Sequence, residues 1–105
     1  MSVEIFGLSE DNAEKFHTLA VSSEKSFYDI WKPVIDKLKL KYIDDQIWIY
    51  RKDLPFVIEE FKILYDYAKG KSDLYDIEYH ARIIIDNLEK NWNETAPNAE
   101  KLWMG

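Results

Sequence analysis

The chain has 105 residues, with 20 acids against 14 Lys and Arg and a formal net charge of −6. That length suits one domain around one hydrophobic core, and an apolar fraction of 47% is ample to build it. The absence of cysteine excludes disulfides and thiolate metal sites. The acidic balance disfavours nucleic acid, which needs clustered Lys and Arg, and makes a basic protein the favoured partner.

No basic leader precedes a long apolar run at Met1 to Gly7, and no stretch reaches the roughly 18 apolar residues of a membrane span. The expectation is a cytoplasmic protein, residues 1–105 forming a single domain, without membrane attachment.

Val3 and Ile5 alternate with polar residues, so Ser2 to Gly7 reads as a short strand. Ser9 offers an N-cap for a first helix, with Glu10, Asp11 and Glu14 in its first turns and Phe16, Leu19 and Ala20 as its apolar side. Ser22 and Ser23 cap the next. There Phe27, Ile30, Trp31, Val34, Ile35 and Leu38 follow the spacing of an amphipathic helix, over about 23–38. Pro33 interrupts its hydrogen bonding, and the in-phase stripe favours a kink over a break.

The period then changes. Leu38, Leu40 and Tyr42 alternate with lysines, and Ile47-Trp48-Ile49-Tyr50 is β-branched and aromatic. The pattern predicts a hairpin, Lys39 to Ile43 with Gln46 to Arg51, turning at Asp44-Asp45. Asp53 caps a helix with Pro55 in its first turn, and Gly70 ends it after Lys69. A tight connection leads into a last helix, Ser72 to Trp92, so these two form an antiparallel pair. Asn93 to Asn98 is loop chemistry, and Leu102, Trp103 and Met104 form an apolar tip expected to fold back over a groove. The fold class is therefore α+β and helix-dominated: an antiparallel helical pair and a third long helix, packed with a small two- or three-stranded antiparallel sheet.

Both helices of the pair carry a second apolar row. Leu74, Ile77, Ala81, Ile84, Ile85, Leu88 and Trp92 make the main stripe of the last helix, while Tyr75, Tyr79 and Ile83 line its other side. In the preceding helix, Phe56, Ile63 and Tyr67 oppose Leu54, Val57, Ile58, Phe61, Leu64, Tyr65 and Ala68. A surface helix needs one stripe, so the second is covered by more of this chain or by another molecule. The rows are rimmed by Asp76, Arg82, Asp86 and Lys90, and by Glu59, Glu60 and Asp66. Trp48 and Tyr50 share one face of their strand. Tyr75, Tyr79, Ile83, Asp76, Asp86, Trp48, Tyr50, Tyr67, Glu59 and Glu60 are thus the candidate partner-binding residues, with aromatic anchors and acids that steer a basic partner.

Catalytic signatures are sparse. Asp73, Asp76 and His80 (i, i+3, i+7) are the best metal or acid–base candidate. Ser22, Ser23 and Ser26 lack a nucleophile elbow, and three scattered glycines cannot form a phosphate cradle. No catalytic residue, metal or cofactor is assigned. In bulk character the chain resembles small cytoplasmic inhibitor or immunity proteins: acidic, small, free of cysteine, rich in Tyr and Trp. That resemblance implies a non-enzymatic module that neutralises a basic partner. A homodimeric structural or regulatory protein, and a small metal-dependent hydrolase using Asp73, Asp76 and His80, are the alternatives.

Overall fold

The alternating pattern at the N-terminus folds as β1 (Ser2–Phe6), which buries Val3 and Ile5. The computed structural model describes all 105 residues. β1 pairs antiparallel with β2 (Leu19–Ser23), whose Leu19 and Val21 are also buried. The helix expected after Ser9 is thus a correction. Only one 3₁₀ turn forms, Ser9–Asp11, ended by Asn12 in the left-handed region at φ 57°. The rest of that loop docks through Ala13 and Phe16. It passes so close to Gly7 that a Cβ there would lie 1.9 Å from the Ala13 carbonyl oxygen. Leu19 and Val21 suit a pleated, half-buried surface, and pairing with β1 outweighs the weak local helix signal.

Ser23 then caps the first long helix as expected, its Oγ accepting from the Ser26 N–H at 3.1 Å. Helical structure runs unbroken through Glu24–Ser26, Phe27–Trp31 and Lys32–Leu38; we call this run α1. Pro33 is accommodated by one turn of π-helix just before it, in which the Lys32 N–H bonds the Phe27 carbonyl. The wider turn gives the proline ring room that a regular α-turn denies it. The inward face stays in phase, with Phe27, Trp31, Val34 and Ile35 all buried.

Residues 39–43 do not form a strand, so the hairpin is a second correction. β3 (Ile47–Tyr50) instead pairs antiparallel with β4 (Lys101–Met104). The 39–43 segment is held by Glu60, whose carboxylate accepts the backbone N–H groups of Lys41 and Tyr42 at 2.9 and 2.7 Å. β4 also pairs with β1, matching Ile5 with Met104 and Phe6 with Trp103. The sheet has four strands in the order β2-β1-β4-β3. The apolar tip is therefore an interior strand rather than a cover.

α2 (Leu54–Ala68) follows a 3₁₀ turn, Arg51–Asp53, and α3 (Tyr75–Thr95) follows another, Ser72–Leu74. Gly70, at φ 80°, makes the left-handed stop between them. Leu54, Val57, Phe61, Leu64 and Ala68 are buried, as are Ile77, Ala81, Ile84, Leu88 and Trp92. They join the inward sheet residues in one core of 26 buried side chains. No helix is long and apolar enough to cross a membrane.

Arg51 anchors the return of the chain to β4. Its guanidinium donates to the carbonyls of Ala99, Ala96 and Pro97 and to Asn93 Oδ1, and lies 4.8 Å from the Trp92 ring centroid. The Trp92 indole N–H donates to the same Ala99 carbonyl at 3.0 Å. These bonds hold the 96–100 loop where β4 must begin.

One surface bond gives a pH signature. The exposed Tyr28 hydroxyl donates to Asp45, and that bond raises the tyrosine's pKa above its ordinary 10.0, with lesser contributions from desolvation and nearby carboxylates. A raised folded pKa means the contribution is complete below pH 10 and is lost as pH climbs through the folded value. Alkaline titration followed by tyrosinate absorbance should show one tyrosine ionising later than an exposed tyrosine. In Asp45→Asn that delay should shrink or vanish; an unchanged profile would mean the bond does not persist in solution.

Candidate protein-binding face

α3 is a 21-residue helix whose core side faces the rest of the protein. Four-residue spacing carries Tyr75, Tyr79 and Ile83 along another edge, and there they stand 60%, 51% and 36% exposed. Nothing in the chain covers this row in the way the core stripe is covered. The Tyr75 and Tyr79 ring centroids are 6.0 Å apart, and Tyr79 meets His80 edge-on at 5.1 Å. Beside them is a depression of about 250 Å³ lined by Tyr65, Tyr75, Glu78, Tyr79, Arg82 and Ile83. A second, of about 240 Å³, is lined by Lys62, Tyr65, Arg82, Ile85 and Asp86. Tyr65 and Arg82 belong to both, so the two make one shallow groove along the α2–α3 pair. Tyr65 falls on the main stripe by periodicity. Its role in the groove depends on the angle between the helices, which periodicity does not carry.

The second row of α2 is less open. Phe56, 57% exposed, stacks on Tyr42 at 5.7 Å, and Ile63 is exposed. Tyr67 is half-buried between Lys37 and Lys71, and its hydroxyl accepts from Lys37 Nζ at 2.9 Å. Glu60 is occupied by the 39–43 segment, whereas Glu59 is exposed.

Trp48 and Tyr50 share the outer face of the sheet, opposite the buried Ile49. Trp48 is half-buried against Trp103, ring centroids 4.7 Å apart, and Lys101 Nζ lies 3.9 Å from its ring. Tyr50 is exposed.

Asp76 is engaged inside the fold. Its Oδ2 accepts from Ser22 Oγ at 2.7 Å and from the fully buried Trp31 indole N–H at 2.8 Å. His80 Nδ1 lies 3.2 Å from Asp76 Oδ1 and 3.0 Å from the Asp76 carbonyl oxygen. A β-bulge sets this up: the β1–β2 register shifts between Val3 and Glu4, leaving consecutive Val21 and Ser22 both buried and Ser22 turned toward α3. Of the acid–base candidate, the structure joins Asp76 and His80, and Asp73 is exposed. No group of three His, Asp or Glu side chains is arranged to hold a metal ion. The largest cavity, about 530 Å³, lies elsewhere, between residues 12–15 and 95–98, among mostly polar loop side chains.

Comparison with protein-family models, with curated proteins and with solved structures finds no match.

Proposed function

We propose that this chain is a non-enzymatic protein-binding module that docks a basic partner on the α3 edge. The observation that carries the reading is the exposed row of Tyr75 and Tyr79 beside the shared groove. Tyrosine supplies a large, rigid, amphipathic contact at low entropic cost, which is why it anchors protein interfaces. Charge supports the basic partner: besides the engaged Asp76, α3 holds four acids (78, 86, 89, 94) against two bases (82, 90), within a chain of net charge −6. The acidic field of the whole chain steers encounter, and burial of the rings slows dissociation. An inhibitor or immunity-type role in the cytoplasm, masking a cationic surface of its target, is the form of this function we favour.

Pull-down from the native cell at low salt, with mass readout, tests the reading. A stoichiometric basic protein should be retained, released by moderate salt, and lost with Tyr75→Ala/Tyr79→Ala. Because both rings are largely exposed, that variant should unfold within about 0.5–1 kcal/mol of the parent. Partner retention by the folded double variant would sink the assignment of this row.

A further inference from the structure

The charged ridge beside the aromatic row carries a pattern that points to its own copy. Glu78, Arg82, Asp86 and Lys90 follow one another at four-residue spacing with signs −, +, −, +. Read in reverse, the string becomes +, −, +, −, the complement of itself. Such spacing commonly serves pairing along one helix, but no ion pair forms between any of these four side chains. Glu78 instead accepts from the Gly70 N–H at 2.8 Å with one oxygen, and Arg82, Asp86 and Lys90 are exposed.

We propose that this face also takes a second copy of the chain, α3 crossing α3 antiparallel about a two-fold axis midway between Arg82 and Asp86. That register sets Arg82 against Asp86 of the other copy and Glu78 against Lys90, each pair occurring twice by symmetry. Rows of residues four apart interdigitate when helices cross at about −50°, the commonest packing class, so the ridge and the aromatic row fit one geometry. Ile83 then lies close to the axis, where its exposed surface meets the other copy. One helix crossing is small beside the roughly 800 Å² per partner of a standard interface. The dimer is therefore weak and reversible, and it hides the face proposed for a basic partner. Self-association and partner capture compete, so the dimer acts as a reserve that the partner opens.

Sedimentation equilibrium of the purified chain, over about a hundredfold range of concentration at low salt, tests this directly. The mass should rise from 12.6 kDa toward twice that value and fall back when salt is added. Arg82→Glu and Asp86→Arg each place like charges opposite one another, and each should weaken the dimer by about tenfold or more. Arg82→Glu/Asp86→Arg combined restores opposite signs and should restore the dimer. A monomer mass throughout, or single variants that dimerise like the parent, would overturn the proposal; so would failure of the folded double variant to recover. The dimer does not depend on the partner reading. A monomer that still captures a basic protein would end only the dimer, whereas a charge-swappable dimer with no heterologous partner would end only the partner.

Discussion

A chain ending at Glu100 should show no cooperative unfolding transition at 25 °C. The five residues lost include β4, which sits between β1 and β3 and supplies hydrogen bonds to both. Leu102 and Met104 are fully buried in the core, and burial of each such side chain is worth about 1.5–3 kcal/mol. Beyond them, the Glu4 N–H and carbonyl lose their bonds to Gly105, at 3.0 and 2.9 Å, and β3 is left without its only partner strand. Together these losses rival the whole net stability of a domain this size, about 5–15 kcal/mol. Far-UV circular dichroism and urea titration decide the matter. Leu102→Ala provides a graded version, with an expected cost of about 2–5 kcal/mol at an unchanged denaturant slope. Cooperative folding of the truncated chain would mean that β1, β2 and β3 find another arrangement without it.

The second large effect belongs to Asp76. Asp76→Ala removes the acceptor shared by the Trp31 indole N–H and the Ser22 hydroxyl. Both donors are buried and neither has another partner, so each is left without the water it gave up on folding. The expected cost is about 2–4 kcal/mol in urea unfolding. Asp76→Asn keeps one oxygen for both donors and should cost less, about 1 kcal/mol, with the difference falling on His80. Ser22→Ala leaves Trp31 satisfied and should also stay near about 1 kcal/mol. If Asp76→Ala were as mild as Ser22→Ala, the three-element junction between β2, α1 and α3 would have no energetic weight. The contrast also separates fold from binding on α3: Asp76 should move stability, and Tyr75 and Tyr79 should move partner affinity.

The distinction between those neighbours marks how far the sequence could be read. Helical stripes, the Ser23 cap, the Gly70 stop and the α2–α3 hairpin were all legible, because each depends on residues within a turn or two of one another. The strand at Val3 and Ile5, the strand at Ile47 to Tyr50 and the burial of Trp31 and Trp92 were legible for the same reason. Pro33 announced an irregularity, although the form it took, a π turn, depends on how α1 packs.

What the sequence left open are matters of pairing. Residues 39–43 alternate as well as many strands do, yet β3 pairs with residues 101–104, because Arg51 and Trp92 fix the 96–100 loop beside it. Leu19 to Ser23 belongs to a strand only because β1 is there to receive it. Asp76 looked like one acid on the rim of an aromatic row, and a bulge 54 residues away turned Ser22 to meet it, beside the Trp31 indole. Tyr75 and Tyr79 could have been core or surface on periodicity alone. By itself, the sequence determined an acidic, cysteine-free α+β chain with two doubly apolar helices, since composition and local spacing suffice for that. Tertiary structure alone decided which of those apolar rows stays exposed, because exposure depends on which distant segments the sheet and the helix crossing bring alongside.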